Sequence, residues 1–148
     1  MTWNIQIKGT EQLNNKIDPS KYDKAIRTTM TLAVKGVKEY AQSIAPYKTG
    51  TLRRSIQFQV LNNGLQGIVY QDANIASYGG YVEMGTRAHE ITPINKRALF
   101  WPGADHPMKS VQHPGTKPQP YMQPAYEGKK DWVLQTFNDA IKNLLGGR

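Results

Sequence analysis

Between Tyr81 and Tyr121 the chain carries six prolines, Pro93, Pro102, Pro107, Pro114, Pro118 and Pro120, and three glycines, Gly85, Gly103 and Gly115. Each proline fixes φ and removes a backbone donor, while each glycine opens the positive-φ region, so this stretch reads as turns and extended arms. Its last part, HPGTKPQPYMQP from His113 to Pro124, holds four prolines and is excluded from a helix interior or a central strand. An extended arm of polyproline character is expected there. Such an arm either packs on its own domain, as a connector that positions the last helix, or reaches to an identical neighbour.

The flanking segments carry regular periodicity. Trp3, Ile5 and Ile7 alternate with Asn4, Gln6 and Lys8, the pattern of a half-buried strand ended by Gly9, and Thr10 can cap a helical turn through Leu13. After Asp18-Pro19, Ser20 and Asp23 form a capping arrangement. Tyr22, Ile26, Met30, Ala33, Val37, Ala41 and Ile44 then make one apolar stripe, stopped by Pro46. Thr51 is placed to cap a brief turn through Ser55. A hairpin follows: Ile56, Phe58 and Val60 alternate with glutamines, Asn62-Asn63-Gly64 supplies the turn, and Leu65 to Tyr70 returns. Ala73 to Met84 reads as a loop and a short helical turn ending at Gly85, with Gly79-Gly80 giving flexibility. Leu99 to Trp101 and Met108 to Val111 suggest two short strands. Trp132, Val133, Phe137, Ala140, Ile141, Leu144 and Leu145 mark a C-terminal amphipathic helix that must cover a core or a partner.

The expected fold class is α+β: a mostly antiparallel sheet packed by a long N-terminal helix and a C-terminal amphipathic helix, with long mobile loops. A length of 148 residues suits a single domain over 1–148. Within it we expect a strand and linker at 1–19, the long helix at 20–45, the hairpin region at 51–72, a loop-rich region at 73–120 and the last helix at 121–145.

Several chemistries are disfavoured. Without cysteine there is no disulfide, thiolate zinc site or Cys nucleophile. No signal-peptide pattern opens the chain, and no run of 18 apolar residues occurs, so no membrane association is expected. Neither GxxxxGK[ST] nor GxGxxG accompanies Gly79-Gly80. His89, His106 and His113, with Asp105, lack the i, i+4 spacing of a zinc hydrolase, and no GxSxG elbow surrounds Ser110. Glu83 is the one carboxylate that invites a catalytic reading. An acid–base pair needs a positioned partner. Pairing with Arg53, Arg54 or Arg87, tying Glu83 to the turn before the hairpin, is the expectation. No catalytic residue, metal or cofactor is assigned.

Three motifs in order, APYKTGTLRRSI (Ala45 to Ile56), YVEMGT (Tyr81 to Thr86) and HPGTKPQPY (His113 to Tyr121), precede the C-terminal helix. The order resembles the neck, head-tail joining or tail-completion proteins (minor tail components) of long-tailed bacteriophages. On that resemblance the motif positions Gly50, Leu52, Arg53, Ser55, Tyr81, Glu83, Gly85, Thr86, His113, Pro114, Gly115, Thr116, Pro118 and Pro120 are candidates for the family's structural and assembly contacts. Met84 stands where that family often has an aromatic residue. The resemblance implies a virion protein, made in the host cytoplasm, from an active phage or a prophage. Its neighbours would be the head connector or stopper on one side and the tail terminator or tail tube on the other. It further implies a sixfold ring in the particle, a subunit that can be monomeric alone, and DNA passing through the lumen.

Two function classes follow. One is a structural subunit of the neck or upper tail that joins head to tail through ring contacts and performs no bond chemistry. The other is a basic nucleic-acid-binding module, suggested by 19 Lys and Arg against 11 Asp and Glu, a net +8, and by aromatics such as Tyr47, Tyr70 and Trp101. The charges are spread over several elements instead of gathered on one, which favours solvated faces.

Overall fold

Apolar periodicity alone places the main helix, and the computed structural model, which describes residues 2–8 and 19–146, builds the fold around it. Helix α1 runs Pro19–Ile44, with proline at the first helical position, where its missing N–H costs no intrahelical bond. Tyr22, Ile26, Met30, Ala33, Val37 and Ala41 are buried, as is Val34 between them. Ile44 departs from the stripe and is part exposed; Ala45 takes the buried position at the helix end. The turn expected at Thr10 to Leu13 lies outside the described residues.

Beneath α1 lies a three-stranded antiparallel sheet of β1 (Thr2–Gln6), β2 (Ile56–Leu61) and β3 (Gln66–Gln71), in the order β1-β3-β2. The registers Trp3↔Val69↔Phe58 and Ile5↔Gly67↔Val60 place these residues on the face toward α1. At Gly67 side chains of the helix press onto the sheet. A Cβ there would run into Val34 and Met30, so glycine sets the helix-to-sheet distance. Asn62, Asn63 and Gly64 all adopt positive φ in the hairpin turn, and the Arg27 guanidinium donates to Asn63 Oδ1 at 3.2 Å.

Helix α2 (Thr51–Ser55) enters β2, and its N-cap is Gly50 at φ 77°; the Thr51 side chain does not cap. The Thr51 hydroxyl instead lies beside that of Thr49 and accepts from Arg54. Arg53 Nε and Nη2 donate to Ala45 O at 3.0 and 2.9 Å, and Nη2 also reaches Ser43 O. A guanidinium thus closes the carbonyl end of α1, where a cation is favoured.

Helix α3 (Gly79–Met84) and the ladder β4 (His89–Ile91) with β5 (Val111–His113) follow. This antiparallel pair was not legible as strands in the sequence. The two strands expected within 98–111 reduce to one bridge, Leu99↔Met108. Helix α4 (Met122–Gly146) packs along α1. The two helices approach over a glycine on each side: Gly36 lies against Trp132, and Gly128 against Tyr40. Helix α4 reaches the core through Met122, Ala125 and Val133, with Phe137 packed beside them; Leu145 is exposed.

Gly67→Ala is expected to lower stability by about 1–3 kcal/mol, the usual cost of overpacking a filled core. Gly80→Ala, whose added carbon would meet only the Met84 methyl at 4.0 Å, should leave stability unchanged or raise it slightly. Denaturant unfolding of the two variants checks the contrast.

Candidate functional site at the interlocked motifs

The backbone of α3 turns one side chain of YVEMGT inward. Glu83, 5% exposed, accepts three backbone hydrogen bonds: Oε2 from Tyr121 N at 2.7 Å and Met122 N at 2.9 Å, and Oε1 from Gln123 N at 3.0 Å. These amides lie at the start of α4, where a helix leaves its first N–H groups without intrahelical partners and where the macrodipole favours an anion. The carboxylate therefore acts as an N-cap delivered from 38 residues upstream.

The expected ion pair with Arg53, Arg54 or Arg87 is not formed. Arg53 is committed to Ala45 O and stacks its guanidinium 5.1 Å from the Tyr47 ring centroid, and Arg54 reaches Thr51 Oγ1. Among the described residues, the ion pair within 4.0 Å is Lys35–Glu39 on the outside of α1. A helix terminus supplies pre-aimed donors without ordering a long side chain, which is why it wins over a guanidinium here. Glu83 consequently ties its motif to α4 and not to the turn before the hairpin.

Neighbouring contacts reinforce that junction. Tyr121 is buried; its hydroxyl donates to Gly79 O at 3.3 Å, and Gln119 N donates to Val82 O at 2.8 Å. Gly79, expected to give flexibility, serves close packing instead, because a Cβ would collide with the Gln71 side chain. Gln71 Nε2 in turn donates to Ala76 O, Asp72 O and Ser55 Oγ. Buried Ser55 donates to Leu52 O, and Leu52 is itself in the core. Gln71 thus links the first motif to the loop before α3. Sequence reasoning passes over Gln71, one residue beyond the expected strand, because nothing local marks it.

The two Gly-Thr pairs meet directly. Thr86 N donates to Thr116 O at 3.0 Å, Thr116 N donates to Thr86 O at 3.1 Å, and the two hydroxyls lie 3.0 Å apart. Gly85 (φ 71°) and Gly115 (φ 86°) each face the opposite backbone, where a Cβ would strike Thr116 O and Pro118 in one case and Thr86 O and Arg87 in the other. Both positions need glycine for conformation and for space. His113 Nδ1 accepts from Gly115 N at 3.0 Å and faces His89 across the β4–β5 ladder, ring centroids 5.1 Å apart. No cluster of three or more His, Asp or Glu able to hold a metal ion occurs among the described residues. Pro114 and Pro120 are exposed along the arm.

Outward, the same unit shows apolar surface. Tyr81 is 64% and Met84 68% exposed on α3, and Tyr47 is exposed in a separate depression shared with Tyr78 and Val82. An open groove of about 390 Å³ runs between Pro46, Tyr78, Tyr81, Val82, His113 and Thr116. Beyond β4 the chain carries Ile94, 94% exposed, together with Phe100, Trp101 and Met108. Among the candidate positions, Glu83, Gly85, Thr86, Gly115 and Thr116 make the contacts between the motifs, with Glu83 buried and Thr116 exposed, while Tyr81 faces outward. Both carboxylate oxygens of Glu83 are occupied by backbone donors, the geometry of a helix cap.

A family of bacteriophage proteins, described as "Bacteriophage HK97-gp10, putative tail-component", matches residues 10–85. The chain belongs to this family. The match covers α1, α2, the hairpin and α3, and closes at Gly85, so the Glu83 cap lies within it while its receptor, the start of α4, lies beyond. No curated protein and no solved structure matches the chain. As a member of the family it is a structural phage protein of the tail-component type. No helix is long and apolar enough to cross a membrane among the described residues.

Glu83→Gln removes the charge and turns an amide NH2 toward backbone donors; a loss of about 1–3 kcal/mol is expected, measured by denaturant unfolding. Unchanged stability would contradict the cap. Burial, then the Glu83 charge and then Tyr78, push the Tyr121 phenol up to about 12. A raised folded-state pKa means the contribution is complete below pH 10 and is lost as pH climbs from 10 through 12. Thermal melts across that window should show stability falling, and Tyr121→Phe should flatten the decline.

Proposed function

We propose that this chain is a non-catalytic subunit of the neck or upper tail that joins the head connector to the tail through ring-forming contacts between copies. The observation that carries the reading is the pairing of family membership with a locked junction whose outer side is apolar. The Glu83 cap and the Gly-Thr bridge hold the motifs rigid, while Tyr47, Tyr81 and Met84 remain on the surface. Exposed apolar groups on a rigid frame suit contact with protein neighbours.

The neighbours are the connector or stopper toward the head and the tail terminator or tail tube on the other side. A ring requires two different, complementary patches on each subunit. Two separate exposed surfaces, the motif groove and the apolar segment from Ile94 to Met108, support this reading as candidates for those patches. The ring is hexameric in the particle, assembled from subunits made in the host cytoplasm, with DNA passing through its lumen.

The nucleic-acid-binding reading loses ground on the placement of the basic side chains. Lys35 pairs with Glu39, Lys38 lies over the Phe58 ring, Arg53 closes α1, and Lys129 lies within 5.4 Å of the Tyr40 ring centroid and 4.9 Å of the Trp132 ring centroid. These cations serve local packing on separate surfaces instead of forming one track along a phosphate backbone.

Electron microscopy of phage particles carrying a tagged copy of the chain tests the proposal. Tag density is expected as a ring between head and tail. Particles in which the tag is missing, or lies elsewhere, would refute it. A Tyr81→Lys, Met84→Glu variant that folds normally should lower the yield of tailed particles at least tenfold.

A further inference from the structure

We infer that the motif groove and the two depressions flanking it receive an acidic segment of an unlike protein chain. This rests on the neck reading above and names the neighbour at that site; contacts between copies then join the segment from Ile94 to Met108 to a different surface.

Helix α3 lays out the face. Tyr78, Tyr81 and Met84 recur at three-residue steps on its outer side, while Gly79 and Glu83 are buried. Tyr78 belongs both to the groove and to the depression at Tyr47, and Tyr81 belongs both to the groove and to a depression along Met84 and Gly85. The three open spaces, of about 390, 490 and 680 Å³, therefore join around one short helix. Exposed apolar side chains grouped in this way mark a contact surface.

The charges on this face have one sign. Lys48 lines the depression at Tyr47, Lys117 the groove and Arg87 the depression at Met84, and no carboxylate lines any of the three. All three cations are exposed, and their side chains make no ion pair, hydrogen bond or ring contact among the described residues. They differ in this from Lys35, Lys38, Arg53 and Lys129, each of which has a partner. Nearby carboxylates are turned away: Glu83 spends both oxygens on the amides of α4, Asp72 accepts from Asn74 N, and Glu90 alternates to the side of the β4–β5 ladder opposite His89 and Ile91, which line the groove.

Unpaired cations set round an apolar face select a partner that brings carboxylates together with apolar side chains. A second copy brings the reverse, since its exposed segment from Ile94 to Met108 carries Lys96 and Arg97, with Lys109 next to it, against Asp105, on a chain of net +8. A DNA duplex would meet the cations with phosphates and leave Met84, Val82 and Pro46 desolvating a charged backbone, which is costly. An acidic protein segment matches both the charge and the apolar surface. The face lies past Ile44, about 37 Å along α1 from Pro19. Lys8 and Pro19, which bracket residues 9–18, both lie toward the opposite end of α1, where Gly64 packs on Arg27 and Ile7 N donates to Leu65 O at 2.9 Å.

Carbodiimide treatment of purified particles, read by peptide mass spectrometry, tests the inference, because it joins a lysine amine to a touching carboxylate as an amide with loss of water. The expected result is Lys48 or Lys117 joined to an Asp or Glu of a different virion protein. Among the described residues no carboxylate lies within 4.0 Å of either lysine, so a link back to this chain's own sequence would mark a second copy and overturn the proposal. Amines that couple only after nuclease treatment of opened particles would point to DNA and also overturn it. Neither lysine coupled, in particles that contain the chain, would overturn it and leave the neck reading standing; particles without the wild-type chain would remove both. Lys48→Glu with Lys117→Glu should lower the amount of chain retained in particles at least about tenfold, with the thermal melt unchanged. Lys24→Glu with Lys142→Glu makes the same charge change toward the Pro19 end of the molecule and should leave retention as in the wild type. Retention undiminished by the first pair, or lowered equally by both, would overturn the site.

Discussion

A buried carboxylate with no cation beside it is tolerable only where dipoles replace one, and the fold depends on that arrangement at Glu83. Three amides at the start of α4 hold both of its oxygens. The bond joins a short helix in the middle of the chain to the first turn of the last helix. It sets where α4 begins, and with that where Tyr126 meets Trp3 in a 4.4 Å stack and where Trp132 crosses Gly36. Replacing solvent around a carboxylate with aligned amides is favourable when the donors are preset. The proline arm before α4 presets them.

The remainder of the motif region follows from the same junction. The Gly-Thr bridge brings the loop after α3 beside the arm that leads to α4, so the two chain segments entering and leaving the β4–β5 ladder are pinned together at its base. The apolar side chains of Ile94, Phe100 and Trp101 are carried outward from this base and not folded back onto the core. A rigid base with an exposed apolar extension suits a subunit whose work is contact with other chains.

The sheet, its hairpin turn and α1 were legible because their determinants are local: period 2, Asn-Asn-Gly and a 3.6-residue stripe each act within a few residues. Positive φ at Gly85, Gly103 and Gly115 was legible for the same reason. Glu83 was recognised as an anchor with the wrong partner assigned, since side-chain chemistry suggests an arginine while a helix N-terminus 38 residues away leaves no mark near the glutamate. The β4–β5 ladder was missed because three-residue strands spaced 20 residues apart have no period to detect. Sequence assigns Gly79 flexibility because a glycine that makes room and a glycine that bends are identical in sequence.

Amide hydrogen exchange at Tyr121, Met122 and Gln123 tests the central claim most directly. The first N–H groups of a helix ordinarily exchange fast, having no intrahelical acceptor. Held by Glu83, these three should be protected to a degree comparable with the middle of α1, and Glu83→Ala should return them to rapid exchange while α1 stays protected. Fast exchange at all three in the unaltered protein would contradict the account.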